Sequence, residues 1–374
     1  MDKERARDHS IAFPKINITT LRILEVGDHH LFKQTFPEQT TLLWTGYRPP
    51  KVFNRTDYAD CSPIQFVKAL RDIRAGRYDL VITYATQYSR WHPRYWMRAI
   101  LNTPLAPLTA LTRVFGISLF RFTKFVTPLV VLDMQDAFTI HRSNFFLLDR
   151  AKIYFKRELP VDRWQAIYGS AHPRLPTLRI RRSRRWQMRI ARLRPISLQA
   201  GLIDIATPEK ILSSKKSDVF FAGDVDHNST VRVDGLRQLQ RLATRGIRVD
   251  MPTGRLTQDE FYRRMSEAWL AWSPSGRGWD CYRHYEAPQC LTVPIINYPT
   301  ILRYRPLEEG VHAIYYPPEG DGLMRAIEHA LSDKERLKRI ALAGREHVRS
   351  YHVASAFCLR ILNEALHNNV DETY

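Results

Sequence analysis

The sequence predicts an α/β protein built from two doubly wound parallel sheets that face each other across a central cleft. Three observations carry that expectation. Short runs rich in Val, Ile and Leu alternate with helical spacing through the first half; the alternation starts again at Asp218; and residues 273–286 insert a glycine-bearing loop between an apolar strand and a helix. Strand, helix and strand at such spacings pair in parallel, and open parallel sheets bind ligands beyond the carboxyl ends of their strands.

Taken in order, residues 21–26 read as the first strand, ending at Gly27, Asp28, His29 and His30. Residues 63–75 have the spacing of an amphipathic helix, and 77–83 are a short, β-branched strand. Residues 127–133 form another strand, whose end carries Asp133 and Asp136, and 151–160 read as a further strand and loop. The second half opens with a strand at 218–222 that runs into Gly223 and Asp224, then a polar loop and a helix carrying Arg232. After a strand at 247–251, Thr257 and Glu260 make a capping box for a helix with Phe261, Met265, Ala268 and Trp269 on one face. The apolar stretch up to Trp272 is the next strand. Residues 286–297 read as a short helix, a turn and a buried strand, and 313–316 as the last strand. A helical tail starts at Asp321; within it Ser332 to Glu335 is a second capping box, with Leu337, Ile340 and Ala341 on the inner stripe. No internal repeat or low-complexity tract interrupts this plan.

The loop at 273–281 points to an anion site. Gly276 and Gly278 let the backbone approach a ligand closely, and a helix starting near Tyr282 aims unpaired N–H groups and its positive dipole end at whatever lies above Ser275. Arg277 and Arg283 add guanidinium forks suited to phosphate oxygens, and Glu286 lies three residues after Arg283 on the same face. The plain alternative is a helix start with a surface ion pair.

Arg283, Glu286 and Ala287 followed by Val293, Pro294 and Ile295 give this half a resemblance to the nucleotide-binding half of GT-B glycosyltransferases, and most closely to exostosin-like proteins and the CgeB-type proteins of spore coats. The likeness covers roughly residues 218–351. It departs where those families usually have a glycine before the strand, here Leu291 and Thr292, and where their second glutamate is replaced by Val293. The resemblance implies a GT-B-like arrangement of two Rossmann-like domains: residues 1–200 on the acceptor side, 201–352 binding a nucleotide sugar, and a C-terminal helix over 353–374 packing back toward the first domain. It implies a glycosyltransferase that uses a nucleotide-sugar donor as substrate, with no other cofactor, and a polysaccharide, surface-glycan or lipid-linked acceptor. A GT-B-like protein that binds or assembles without turnover stays open as a rival.

Composition agrees with a folded protein of this size: 374 residues, 44% hydrophobic, with eight tryptophans. Cys61, Cys281, Cys290 and Cys358 are scattered without a Cys-x-x-Cys pair or histidines at zinc spacing, which favours a reduced compartment and no metal site. The charged N-terminus has no apolar core, so the expectation is a cytoplasmic protein, peripheral at the inner face of the membrane.

The net charge of +19 is concentrated in two places. Between Arg174 and Arg194 there are nine arginines and no acid, interleaved with Trp186, Met188, Ile190 and Leu193. Such a run suits a phosphate-rich partner, nucleic acid or an anionic membrane or acceptor, or else a solvated face at a domain edge. No zinc finger, RNP sequence or helix-turn-helix pattern accompanies it, which weighs against nucleic acid. The second place is residues 91–124, apolar but broken by Arg113, Arg121 and Lys124 below the ~20 apolar residues a membrane span needs. Its aromatic and cationic mix fits an interfacial segment on anionic lipid, or a buried helix with its cations reaching outward.

Within the cleft, the resemblance assigns the donor diphosphate to Arg232, Arg283 and the helix end near Tyr282, with Gly223 and Ser275 to Arg277 around it and Glu286 holding the ribose. The proton of an acceptor hydroxyl needs a base, and Asp28, His29 and Asp136 are the candidates at first-domain strand ends. Each has a structural alternative, such as Asp136 capping a helix.

Overall fold

The computed structural model describes residues 17–86, 93–102, 107–168, 183–204, 206–225 and 229–367. Its strands in chain order are β1 (Ile23–Gly27), β2 (Thr40–Trp44), β3 (Ala59–Asp60), β4 (Leu80–Tyr84), β5 (Leu129–Asp133), β6 (Ile153–Lys156), β7 (Leu193–Pro195), β8 (Ser217–Phe220), β9 (Val249–Asp250), β10 (Ala268–Trp272), β11 (Val293–Asn297) and β12 (Ile314–Tyr316). They form a seven-stranded sheet in the order β3-β2-β1-β4-β5-β6-β7 and a five-stranded sheet in the order β12-β11-β10-β8-β9, with every pairing parallel. In each sheet the chain reverses its winding direction once, between β1 and β4 in the first and between β8 and β10 in the second. Those switch points are where doubly wound sheets open a crevice. The expected pair of doubly wound sheets is therefore present.

Both faces of the first sheet are buried, which is why its central strands β4 and β5 are almost continuously apolar. Leu24, Val26, Val81, Val131 and Tyr154 pack on one face against Phe66, Ile73 and Phe120, while the alternate residues Ile23, Leu80, Ile82, Val130 and Phe155 pack on the other. The helix Ala354–His367 covers that second face through Phe357, Cys358, Ile361 and Leu362, so the chain's end returns to the first sheet. In the second sheet Val219, Leu270, Trp272, Val293 and Ile295 form a core with Leu239, Leu242, Leu323, Ile327 and Leu337 of the surrounding helices.

Local signals are met with small displacements. Thr257 caps its helix as expected, its hydroxyl accepting from Glu260 N–H at 3.3 Å, but the helix Gln258–Ser266 stops before Ala268 and Trp269, which belong to β10. The second cap is Asp333 rather than Ser332: the Asp333 carboxylate accepts from Arg336 N–H at 2.8 Å, and the helix runs Lys334–Tyr351. Leu291, where a glycine is usual in the resembling families, is fully buried and takes a φ of 53°. A left-handed conformation costs a non-glycine residue roughly 1–2 kcal/mol. Lys215 helps hold the turn, its Nζ donating to the carbonyls of Ser266, Ala268 and Leu291 at 2.9, 2.7 and 2.7 Å.

The two sheets are tied by short-range contacts. Glu158, fully buried just after β6, accepts from the N–H groups of Trp279 and Asp280 at 2.9 and 3.0 Å. Leu302 N–H donates to Leu159 O at 2.8 Å, and Asp280 accepts from Leu198 N–H at 2.7 Å.

Candidate functional site

At the switch point of the second sheet, β8 runs into Gly223 and Asp224, and β10 into the loop 273–281. Behind these loops start the helices Thr230–Thr244 and Tyr282–Gln289, each carrying an arginine in its first turn. Ser229 caps the first helix by accepting from Arg232 N–H at 3.3 Å, and its hydroxyl donates to Ser275 O at 3.0 Å, joining the two loops. Asn297 Oδ1, at the end of β11, accepts from Ser275 N–H at 2.8 Å.

Arg232 and Arg283 are both buried here. Arg232 donates through Nε to Ser275 O at 3.1 Å and through Nη1 to Asp224 O at 2.7 Å. Arg283 lies over the Phe221 ring, 5.1 Å from its centroid, and reaches only Trp272 O, at 3.4 Å. Among the described residues neither guanidinium has a carboxylate partner. Burial lowers the Arg232 pKa, and the neighbouring charge of Arg283 lowers it further. Two cations are thus held close together and largely out of water, hydrogen-bonded to backbone carbonyls and, for Arg283, packed on the Phe221 ring, an arrangement that an anion would relieve. Gly223 and Gly276 make it possible, because a Cβ there would stand 2.8 Å from Arg283 Nη2 and 2.7 Å from Arg232 Nη2 respectively.

The other residues expected around the loop divide. Glu286 is half-buried, accepts from Tyr262 OH at 3.3 Å, and has its pKa raised by burial against the pull of Arg283. Arg277 and Tyr282 are exposed, while Ser275 and Gly276 stay with Arg232. The N–H groups of Trp279 and Asp280, in the loop ahead of the helix, are occupied by Glu158 of the first domain, against Gly278. These two loop amides are therefore engaged within the protein, which leaves the guanidinium groups as the cationic feature of this edge. Sequence reading missed Glu158; the one signal for it is the run of charged residues Lys156, Arg157 and Glu158 directly after an apolar strand, where a buried sheet gives way to a cleft.

At the switch point of the first sheet a cavity of about 540 Å³ is lined by Gly27, Asp28, Tyr47, Tyr84, Arg113 and Gln135, among others. That volume suits a small organic ligand. His29 Nδ1 lies 3.0 Å from Asp28 Oδ1, and its ring stacks on Tyr84 with centroids 4.7 Å apart. Desolvation works to lower the His29 pKa, but the hydrogen bond and charge of Asp28 raise it; in return His29 holds Asp28 below its ordinary value despite desolvation. Both side chains remain open to solvent. Asp136 is placed differently: it is ion-paired with buried Arg157, which also lies 4.0 Å from Glu158. His30 is T-stacked on Phe53 and stands apart from the dyad.

The arginine run is committed largely within the protein. Asp149 accepts from Arg185 at 2.6 Å and from Arg189 at 2.7 and 2.6 Å. Partial burial works against its ionisation, yet these hydrogen bonds hold its pKa at about 2. Arg189 also stacks over Trp186 at 4.1 Å, and Arg192 and Arg194 donate to backbone carbonyls. The solvated-face and partner-binding readings of the run then concern Arg184, the largely exposed Arg185, and residues 174–182; these last lie outside the described residues.

No family model matches the chain, and no curated protein matches it in sequence. Solved structures do match in fold. A glycosyltransferase from Rickettsia africae superposes with a TM-score of 0.54 at 10% identity, over 94% of this chain and 99% of that one. HepE of Anabaena, crystallised with UDP, gives a TM-score of 0.51 at 11% identity, over 93% and 100%. The lipopolysaccharide outer core galactosyltransferase WaaB gives 0.50 at 10% identity, over 94% and 100%. With its two doubly wound parallel sheets, the chain has the fold of GT-B glycosyltransferases.

Proposed function

We propose that the protein is a glycosyltransferase that binds a nucleotide-sugar donor on its second domain and passes the sugar to a glycan or lipid-linked acceptor on its first. The observation that carries this reading is the buried Arg232 and Arg283 pair at the switch point of the second sheet, two neighbouring cations with no carboxylate in ion-pair contact among the described residues. A diphosphate is the ligand whose charge and paired oxygens match them. HepE, which shares the fold, has been crystallised with UDP and with UDP-glucose.

In the reaction, an acceptor hydroxyl in the first-domain cavity gives its proton to the Asp28 and His29 pair as its oxygen attacks the anomeric carbon. The bond from that carbon to the diphosphate oxygen breaks, and Arg232 and Arg283 stabilise the charge left on the departing nucleoside diphosphate. Glu286 accepts from ribose hydroxyls. Between the candidate bases, Asp28 and His29 suit the role better than Asp136, whose lone pairs are engaged by Arg157. Val293, buried at the start of β11 where resembling families have an acid, favours the rival of nucleotide binding without turnover.

The test is calorimetric titration of the wild type and Arg283→Ala with UDP, GDP, ADP, CMP and dTDP, followed by sugar-transfer assays with the nucleotide that binds. Binding that Arg283→Ala weakens supports the site. No binding of any nucleotide would overturn it, and binding without hydrolysis or transfer would favour the rival.

A further inference from the structure

One stretch of the first domain combines three properties that its folded role does not use. Between Asp79 and Asp133 the sequence contains six Lys and Arg residues and not one Asp or Glu. Within it the helices Pro93–Leu101 and Pro107–Phe115 pack as a hairpin through Ala99, Ala110 and Val114, with Trp96 against Phe115 at 4.6 Å. The opposite faces carry Met97, Leu101, Leu108 and Leu111, and Leu119 and Phe122 follow in the next turn; all six are exposed, Leu101 at 72% and Phe122 at 75%. Arg98, Arg121 and Lys124 are exposed beside them. Soluble surfaces scatter single apolar side chains, whereas this segment gathers them with cations and excludes acids.

We propose that this hairpin docks the protein on an anionic lipid surface, its apolar residues entering the boundary between headgroups and acyl chains and its cations facing lipid phosphates. Neither helix is long enough to cross a membrane, and none of the described helices is. Shallow insertion of short amphipathic helices with flanking cations is the mode that fits. Charge favours lipid over a second copy of this chain, because a symmetric contact would oppose this segment, which contributes cations and no acid, with its own copy. The arginine run does not offer the same surface, since Arg185 and Arg189 are held by Asp149.

The docking face has a consequence for the first-domain cavity. Arg113, Val114 and Ile117 line that cavity from the inner side of the same segment whose outer side carries Leu108 and Leu111. Docking would set the cavity beside the lipid surface, in place to receive a lipid-linked acceptor. This last step rests on the transferase reading, whereas the docking itself does not.

The experiment is co-sedimentation of the full chain with vesicles of phosphatidylcholine alone and of phosphatidylcholine with phosphatidylglycerol. We expect binding to the anionic vesicles roughly tenfold stronger than to the neutral ones, weakening as salt screens exposed charges. A variant with Leu101→Ser, Leu108→Ser, Leu111→Ser and Phe122→Ser should melt at an unchanged temperature and lose roughly tenfold or more in vesicle binding. Arg121→Gln with Lys124→Gln should erase the preference for anionic lipid. Absence of wild-type binding, or equal binding by the serine variant, would overturn the proposal. A wild-type dimer that the serine variant splits, without vesicle binding, would assign the face to a second copy. Nucleotide titrations on the same samples report the donor site separately, so one reading can fail while the other stands.

Discussion

At the carboxyl edge of the second sheet, the loops after β8 and β10 surround two buried guanidinium groups. At the same edge of the first sheet, the loops after β1 and β4 present a solvent-exposed carboxylate and imidazole beside an open cavity. Both edges are switch points of doubly wound sheets, so topology alone does not separate them. What separates them is the state of the charge. Arg232 and Arg283 are desolvated and repel each other, an arrangement that costs stability in the free protein and is relieved by an anion. Asp28 and His29 lie 3.0 Å apart as an acid and base partnered at little cost, with both side chains open to solvent. The first arrangement is what the proposed donor site requires, and the second is what the proposed acceptor site requires.

The largest expected effect breaks the proton-moving edge. His29→Ala and Asp28→Asn should each reduce turnover by roughly 10²- to 10⁴-fold with nucleotide binding retained, since the dyad lies on the other domain from the arginines. Asp136→Asn should change turnover far less. Steady-state assays on the three variants decide it: if Asp136→Asn is the damaging one, the base has been placed on the wrong strand end.

Next comes the charge-binding edge. Arg283→Ala and Arg232→Ala should weaken nucleotide binding by ~1.5–3 kcal/mol each, about 10- to 150-fold in Kd. Without nucleotide the same variants should melt at the wild-type temperature or above it, because a buried like charge has been removed. Calorimetry and thermal melting together check the pair. Loss of binding accompanied by a large drop in melting temperature would mean that these arginines hold the fold instead.

How much of this the sequence discloses follows sequence distance. Strands such as 127–133 and 293–297 are legible because burial on both faces leaves an unbroken apolar run. Arg283 is legible because a glycine loop, a helix start and a guanidinium are adjacent in the chain. The two-residue strand β3 carries too few residues for a period of its own, β9 is legible only as the core of the longer stretch 247–251, and β7 is hidden in the arginine run. Glu158 lies 121 residues from the amide it caps, and Asp149 lies 36 and 40 residues from the arginines that hold it. No local pattern specifies such pairs; the fold does.

Within the charge-binding edge, Glu286 is the finer probe. It shares its helix face with Arg283 but is only half-buried and bonded to Tyr262 OH at 3.3 Å. Glu286→Gln keeps the shape and one acceptor, so the loss should lie at the low end of a charge-assisted hydrogen bond, ~1.5 kcal/mol, or about tenfold in Kd. The loss should appear for a nucleoside diphosphate and vanish for inorganic pyrophosphate. An equal loss for both ligands would place Glu286 against the phosphates.

The smallest expected effect lies where the two edges meet, at Asp280. Its carboxyl is pushed from 3.8 up to about 7, first by burial and further by the nearby Glu158, against the opposing pull of Arg157. A carboxyl raised in the folded state binds its proton more tightly there than in the unfolded chain. Its contribution to stability is therefore complete below the unfolded value of 3.8 and is lost as pH rises toward about 7. His284 and His352, buried and held near 3, slope the other way, because unfolding lets them take up protons as pH falls below 6.5. The informative quantity is thus the difference between the wild type and Asp280→Asn, which leaves the histidines in place. Melting temperatures measured across this range should show the wild type losing stability relative to Asp280→Asn as pH rises, with nucleotide binding at neutral pH unchanged. Parallel pH profiles for the two proteins would show that Asp280 is already ionised throughout, and that the contact between the domains titrates elsewhere.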